Sequence, residues 1–329
     1  MKSSQNIKKI LVKAPSSQED VVLSFPLLKD LRREFPSAQL NIILERSGRD
    51  VINFFDQELI LYEIPEDVKG LFDVHKFVYN QKDIFNIDLF IDLENSLRSA
   101  FLGYNFRSKY RVGVANGLNK WLLTHRMEHS NTFFDSTGLS LLGKFLAKGQ
   151  SMELFSGNAE ALAPLQDTLN GEAAKPYLAI VLDRPEMIFE QASLLNNLIK
   201  SFDDYEFHIL TMFSHSENSK ELNLWYQRLP KQNNYFFGEI KDRAQFLAQV
   251  IHSKGLITDQ TWVGLLSTYY GVDAFVLDAK PMFPGNFRLF PHFITKNDGE
   301  TLQLTSRDGN SPFSDITAFS DYLHTKLNI

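Results

Sequence analysis

Alternation between two kinds of segment constrains this chain more than any other feature. Short apolar runs at residues 10–12, 40–44, 59–64, 87–93 and 110–114 read as strands. Between them lie stretches of helical spacing, such as Val21, Leu23, Leu27, Leu28 and Leu31 up to Phe35-Pro36, and residues 68–79. A strand that is apolar on both faces must be covered on both, and helices crossing over a parallel sheet provide that cover. The pattern restarts after residue 176, with strands expected at 178–182, 206–211, 235–237, 256–258 and 274–277. Helices are expected there at 188–200, 219–229, 244–251 and 261–270. Residues 157–176, rich in Ala, Gly, Asn and Pro and weakly periodic, read as the linker.

Two successive Rossmann-like α/β/α domains are therefore expected, facing a central cleft, with ligands gathered at the carboxyl ends of the strands. The boundaries are 1–160 and 161–315, and residues 316–329 are expected to form a helix that packs back on the first domain. A chain of 329 residues is long enough to bury two cores. Its net charge of −6 argues against a general nucleic-acid binder, and the absence of cysteine excludes disulfides and thiolate chemistry. Residues 1–9 are polar and carry no signal-peptide core, and no apolar run approaches the roughly 20 residues that span a bilayer. A cytoplasmic protein is the expectation.

The stretch from Ile10 to Pro36 carries the most chemistry: a strand, a small-residue loop, an acid, then a helix. Asp20 stands in that loop as either a helix N-cap, a role aspartate fills well, or a working carboxylate at the sheet edge. Ser16-Ser17-Gln18-Glu19-Asp20-Val21-Val22 with Pro26 resembles the opening of glycosyltransferase family 9, the ADP-heptose:lipopolysaccharide heptosyltransferases, which reads Ser-Ser-x-Gly-Asp before a Val-rich turn and Pro. Asp88-Leu-Phe-Ile-Asp92-Leu-Glu-Asn-Ser-Leu-Arg98-Ser99-Ala100 is similar to that family's Asp-x-x-Ile-Asp…(Arg/Lys)-Ser-Ala. His129, ahead of residues 132–142, matches a third, weaker position.

The resemblance implies a GT-B fold and an inverting, metal-independent glycosyltransferase. Asp20 would be the general base, with a pKa lifted toward the working pH. Ser17, Glu19 and Arg98 would contact the acceptor. Glu19 stands where the family has Gly, bringing bulk and a like charge beside Asp20. Arg98 belongs to a basic group with Arg107, Lys109 and Arg111, read either as solvated charge or as recognition of an anionic acceptor.

For the donor half, the resemblance places a nucleotide sugar, ADP-heptose in the family, at Asp259, Gln260 and Thr261, with Arg184 as counter-charge. The family's Asp-Thr-Gly-Leu-x-His-Leu is here Asp259-Gln260-Thr261-Trp262-Val263-Gly264-Leu265, so its Gly has become Thr261 and its His Gly264. Trp262, Tyr269 and Tyr270 read as core rather than as a base-stacking set. No cofactor and no metal are expected: no Asp-x-Asp triplet occurs. The implied partners are the nucleotide sugar and a lipid A/inner-core oligosaccharide acceptor, met peripherally at the cytoplasmic face of the inner membrane. The departures in the donor loop support an alternative: a catalytically degenerate relative that binds glycan or protein. The Gly138…Gly143-Lys144-Phe145 spacing is set aside as a phosphate loop because Phe replaces the required Ser or Thr.

Overall fold

The computed structural model describes residues 7–55, 58–81, 84–128, 176–182, 199, 205–211, 227, 235–239 and 243–276. The chain divides into two compact units, Met1–Phe155 and Ser156–Ile329.

In the first unit six parallel strands form one sheet: β1 (Lys9–Lys13), β2 (Gln39–Glu45), β3 (Ile60–Ile64), β4 (Leu89–Asp92), β5 (Tyr110–Ala115) and β6 (His125–Glu128). Their order is β3-β2-β1-β4-β5-β6. The helices are α1 (Gln18–Leu23), α2 (Phe25–Glu34), α3 (Arg46–Ile52), α4 (Leu71–Asn80) and α5 (Leu97–Asn105). Leu11, Ile43 and Phe90 from the sheet bury against Val74, Phe77 and Val78 of α4 and Leu102 of α5. At Gly103 any Cβ would run into the Phe90 ring, so α5 comes closer to β4 than a larger residue allows.

The single helix expected from residue 21 to 35 is two. Ser24 closes α1 and opens α2, and its hydroxyl donates to the Val21 carbonyl at 2.7 Å. Pro26 explains the break, because it sits in the first turn of α2 and has no N–H to continue the ladder. Two further elements lacked a sequence signal. Arg46–Ile52 is short and polar at its start, and His125–Glu128 pairs with β5 without any apolar run.

Among its described residues the second unit holds five parallel strands, β7 (Tyr177–Val181), β8 (Glu206–Thr211), β9 (Tyr235–Glu239), β10 (Leu256–Thr258) and β11 (Ala274–Val276), in the order β11-β10-β7-β8-β9. Its described helices are α6 (Arg243–Ile251) and α7 (Thr261–Tyr269). The expected linker and terminal helix lie outside the described residues, as do the helices at 188–200 and 219–229 apart from single residues. Strand order reverses between β1 and β4 in one sheet and between β7 and β10 in the other. At such a switch, crossovers leave to opposite faces and open a crevice at the carboxyl ends.

Candidate active site

Three strand ends meet at the first switch point, and each delivers a group of polar side chains. At the end of β1 the chain turns through Pro15 and Ser16 into α1. Ser17 is the helix N-cap: its Oγ accepts from the Asp20 amide at 3.1 Å and donates to Asp20 Oδ2 at 2.7 Å. Asp20 is thus the third residue of α1 and not its cap; Ser17 fills that role. Both are half-buried, as is Glu19. Ser47 Oγ, on α3, donates to the Ser16 carbonyl at 3.2 Å, tying this loop to the end of β2.

The end of β4 is built around Asp92, which is completely buried. Its Oδ1 accepts from the amides of Glu94 and Asn95, each at 3.1 Å, and its Oδ2 accepts from Ser99 Oγ at 2.8 Å. Two consecutive amides can point back at one carboxylate because Asn95 adopts φ 59°, a left-handed conformation that asparagine tolerates. Asn95 Oδ1 in turn accepts from the Val114 amide at 3.2 Å, and Ser96 caps α5 in a reciprocal pair with Ser99. Burial pushes the Asp92 carboxyl up to about 6, against the opposing pull of the Ser99 and Asn95 hydrogen bonds. Asp92, Ser99 and the left-handed Asn95 therefore give the Asp…Ser-Ala motif its physical content: they brace the β4–α5 loop.

That loop throws Glu94 back over the sheet edge, where its Oε2 lies 2.5 Å from Lys13 Nζ. Lys13 is fully buried and also donates to the Ala14 carbonyl at 2.7 Å. Burial would raise the Glu94 carboxyl, but the Lys13 ammonium, the Ser96 hydroxyl and the Arg98 guanidinium together hold it below the usual glutamate range. Neither Lys13 nor Glu94 was singled out from the sequence. The available signal was a lysine ending a strand whose other interior positions are apolar.

From β2 comes Glu45, which accepts from Arg98 at 2.8 Å, both side chains being about a quarter to a third exposed. Ser17 and Asp20 are thus in direct contact, while Arg98 reaches the same sheet edge paired to Glu45. The other members of the basic group are elsewhere. α5 carries the chain the length of the sheet, so Arg107, Lys109 and Arg111 stand at the amino edge. There Arg111 donates to the Leu122 and Ser108 carbonyls at 2.5 and 2.6 Å.

In the second unit, Asp259, Gln260 and Thr261 follow the carboxyl end of β10, beside the switch point. Gln260 is the cap of α7, its amide donating to Thr258 Oγ1 at 3.0 Å; Asp259 is buried, and Gln260 and Thr261 are half-buried. Gly264 is not on a ligand-facing side of the helix. A Cβ there would stand 2.5 Å from Val276 Cγ2, so the position faces β11 and has no room for the family's histidine. Trp262, Tyr269 and Tyr270 are all buried, as core aromatics are. Arg184 and His129 lie outside the described residues. Among the described residues no three His, Asp or Glu side chains gather as a metal ion would require, and no helix is long and apolar enough to cross a membrane.

Two doubly wound parallel units in succession define the GT-B class of fold. No known family's sequence pattern matches the chain, and no curated protein sequence does. Solved structures do match in fold. A glycosyl transferase of family 9 from Veillonella parvula superposes with a TM-score of 0.69 at 13% identity, covering 97% of each chain. The E. coli heptosyltransferase WaaC, solved with ADP-2-deoxy-2-fluoro heptose, gives 0.66 at 11% identity over 95% of this chain and 99% of its own. E. coli ADP-heptose lipopolysaccharide heptosyltransferase II gives 0.62 at 14% identity with the same coverage.

Proposed function

We propose that this chain is an inverting glycosyltransferase that moves a sugar from a nucleotide-sugar donor to a hydroxyl of an anionic glycan acceptor. ADP-heptose is the proposed donor and a lipopolysaccharide inner-core saccharide the proposed acceptor, met at the cytoplasmic face of a membrane. The observation that carries the proposal is the Ser17–Asp20 pair at the first switch point, in a chain whose fold is that of the heptosyltransferases.

Ser17 engages Asp20 Oδ2 and fixes the carboxylate, so Oδ1 is the oxygen that takes the acceptor proton. As the O–H bond breaks, the acceptor oxygen attacks the anomeric carbon. The bond from that carbon to the diphosphate breaks on the opposite face, and the nucleoside diphosphate departs with the electron pair. Base catalysis of this kind contributes about 10²–10⁴-fold. Gln260 and Thr261, at the start of α7, are the proposed donor contacts, the helix start favouring a diphosphate.

Thermal shift across a nucleotide panel tests the donor half, with ADP and ADP-sugars expected to raise the melting temperature; a flat response to every nucleotide ends the proposal. Asp20→Asn is expected to abolish transfer and preserve that thermal shift. Transfer that survives the substitution removes Asp20 from the mechanism.

A further inference from the structure

A groove of about 510 Å³ opens at the amino edge of the first sheet, where the last turns of α4 and α5 come together. It is at the opposite end of the strands from Asp20, and nothing in the proposed transfer uses it. Two tyrosines at its walls, Tyr79 and Tyr104, are 68% and 54% exposed, an unusual outlay of aromatic surface on a soluble face. Arg107 and Arg111 supply its positive charge, and no acid is among its described lining residues. The surrounding chain carries net negative charge, so this cationic lining is local and opposite in sign to the whole.

Arg107 is the unusual member. The amide of Arg107 donates to the Tyr104 carbonyl at 3.1 Å and that of Ser108 to the Gly103 carbonyl at 3.2 Å, the paired bonds that close a helix in a Schellman turn. That turn needs a left-handed residue, for which glycine is the usual choice, and Arg107 occupies it at φ 53°. Strain of this kind persists where the surroundings over-determine it, and it gathers at ligand clamps. The side chain is exposed, and no described acid pairs with its guanidinium. Arg111, by contrast, is spent on backbone carbonyls and on the Tyr104 ring, which it overlies at 5.7 Å. That contact holds the ring in place. Ser108, 2% exposed, keeps a buried hydroxyl with no hydrogen-bond partner among the described residues.

We infer that this groove binds a small anionic saccharide: a sugar ring against the tyrosines and its phosphate or carboxylate on Arg107. An aromatic face takes the apolar face of a sugar, an unpaired guanidinium takes the anion with two parallel hydrogen bonds, and the volume suits one or two rings. The inference stands apart from the transfer reaction and survives if that reaction is wrong.

Isothermal titration of the full chain with glucose 6-phosphate, glucose, inorganic phosphate and AMP tests it. In the binding that Arg107 supports, read as the difference between the parent and Arg107→Gly, glucose 6-phosphate should be tighter than the other three. Arg107→Gly should weaken it about tenfold or more, because a charged hydrogen-bonding pair is lost. The same change relaxes the left-handed position, so the melting temperature should hold or rise, by about 2–4 °C at most. Loss of binding in that variant cannot then be put down to misfolding. Tyr104→Ala should weaken the sugar phosphate and leave inorganic phosphate unaffected. Undiminished binding to Arg107→Gly, or glucose 6-phosphate binding no tighter than inorganic phosphate, overturns the inference. AMP binding that is tighter than that of the sugar phosphate and is weakened by Arg107→Gly overturns the saccharide assignment.

Discussion

Asp92→Asn should make the first unit more stable at neutral pH, although it removes a hydrogen-bonded acid from the core. The carboxyl is completely buried and its pKa is lifted from 3.8 to about 6. Three hydrogen bonds and the nearby Lys13 ammonium do not fully replace the water it has lost. An unfolded chain ionises this group freely, whereas the native chain holds its proton more tightly. Between pH 3.8 and about 6 the native state therefore binds more protons than the unfolded one, and stability falls as pH rises through that window. Above it the penalty is complete, at about 3 kcal/mol; below it both states are protonated and the penalty is absent. The asparagine keeps Oδ1 for the Glu94 and Asn95 amides, and its NH₂ can donate to Ser99 Oγ, which still donates to the Ser96 carbonyl at 2.9 Å. The expected gain approaches 3 kcal/mol at pH 7, halves near the middle of the window and disappears below about pH 4. Urea unfolding of both proteins at pH 4, 5, 6 and 7 reads it directly, with ¹³C shifts of the Asp92 carboxyl locating the titration. A variant less stable at pH 7 than at pH 4 relative to the parent refutes the reasoning, and so does a gain that ignores pH.

Two further substitutions probe the same frame. Lys13→Met removes the ammonium in contact with Glu94 at a site where only 16% of its side chain is exposed, leaving only the more distant Arg98, and should cost about 3 kcal/mol in urea unfolding. Adding Glu94→Gln should restore most of that. The pair's contribution is present above the ordinary glutamate pKa of 4.5 and is lost as pH falls through the lower native value, so the Lys13→Met penalty should shrink in acid. Gly264→Ala places a methyl against Val276 and should destabilise the second unit by about 1–3 kcal/mol by thermal or urea unfolding, with no wild-type-like variant expected from any larger residue.

Strands were legible because burial on both faces leaves little choice of residue: every apolar run from β1 to β5 is a strand of the first sheet, and the runs after residue 176 supply the second. β6 escaped because His125–Glu128 joins an edge of the sheet, where pairing on one side suffices and polar side chains are tolerated. The break at Ser24 was written in Pro26, but a periodic apolar face on both sides of it outweighed the proline. Ser17 and Asp20 were singled out separately through the family resemblance; that they touch, three residues apart within one helical turn, is a finding of the structure. The Lys13–Glu94 and Glu45–Arg98 pairs span 81 and 53 residues and depend on β2, β1 and β4 being neighbours in register. No local pattern encodes that.

The same geometry decides where anion recognition can occur. Arg98, Arg107, Lys109 and Arg111 are neighbours in sequence, yet nine residues of α5 at about 1.5 Å each set Arg98 at one sheet edge and the others at the opposite one. Two of the described cations at the Asp20 edge have an acid in close contact: Lys13 has Glu94, and Arg98 has Glu45. Their exposures separate them. Lys13 is sealed at 1%, so its pair can only shape the loop, whereas Arg98 and Glu45 are 26% and 32% exposed and hold each other in contact with solvent. A pair that keeps contact with solvent in this way is weaker than a sealed one, and a phosphate or carboxylate arriving at the edge can take the place of Glu45. Of these two, Arg98 is the cation whose internal partner an arriving anion can displace, which is what the acceptor contact proposed for it requires.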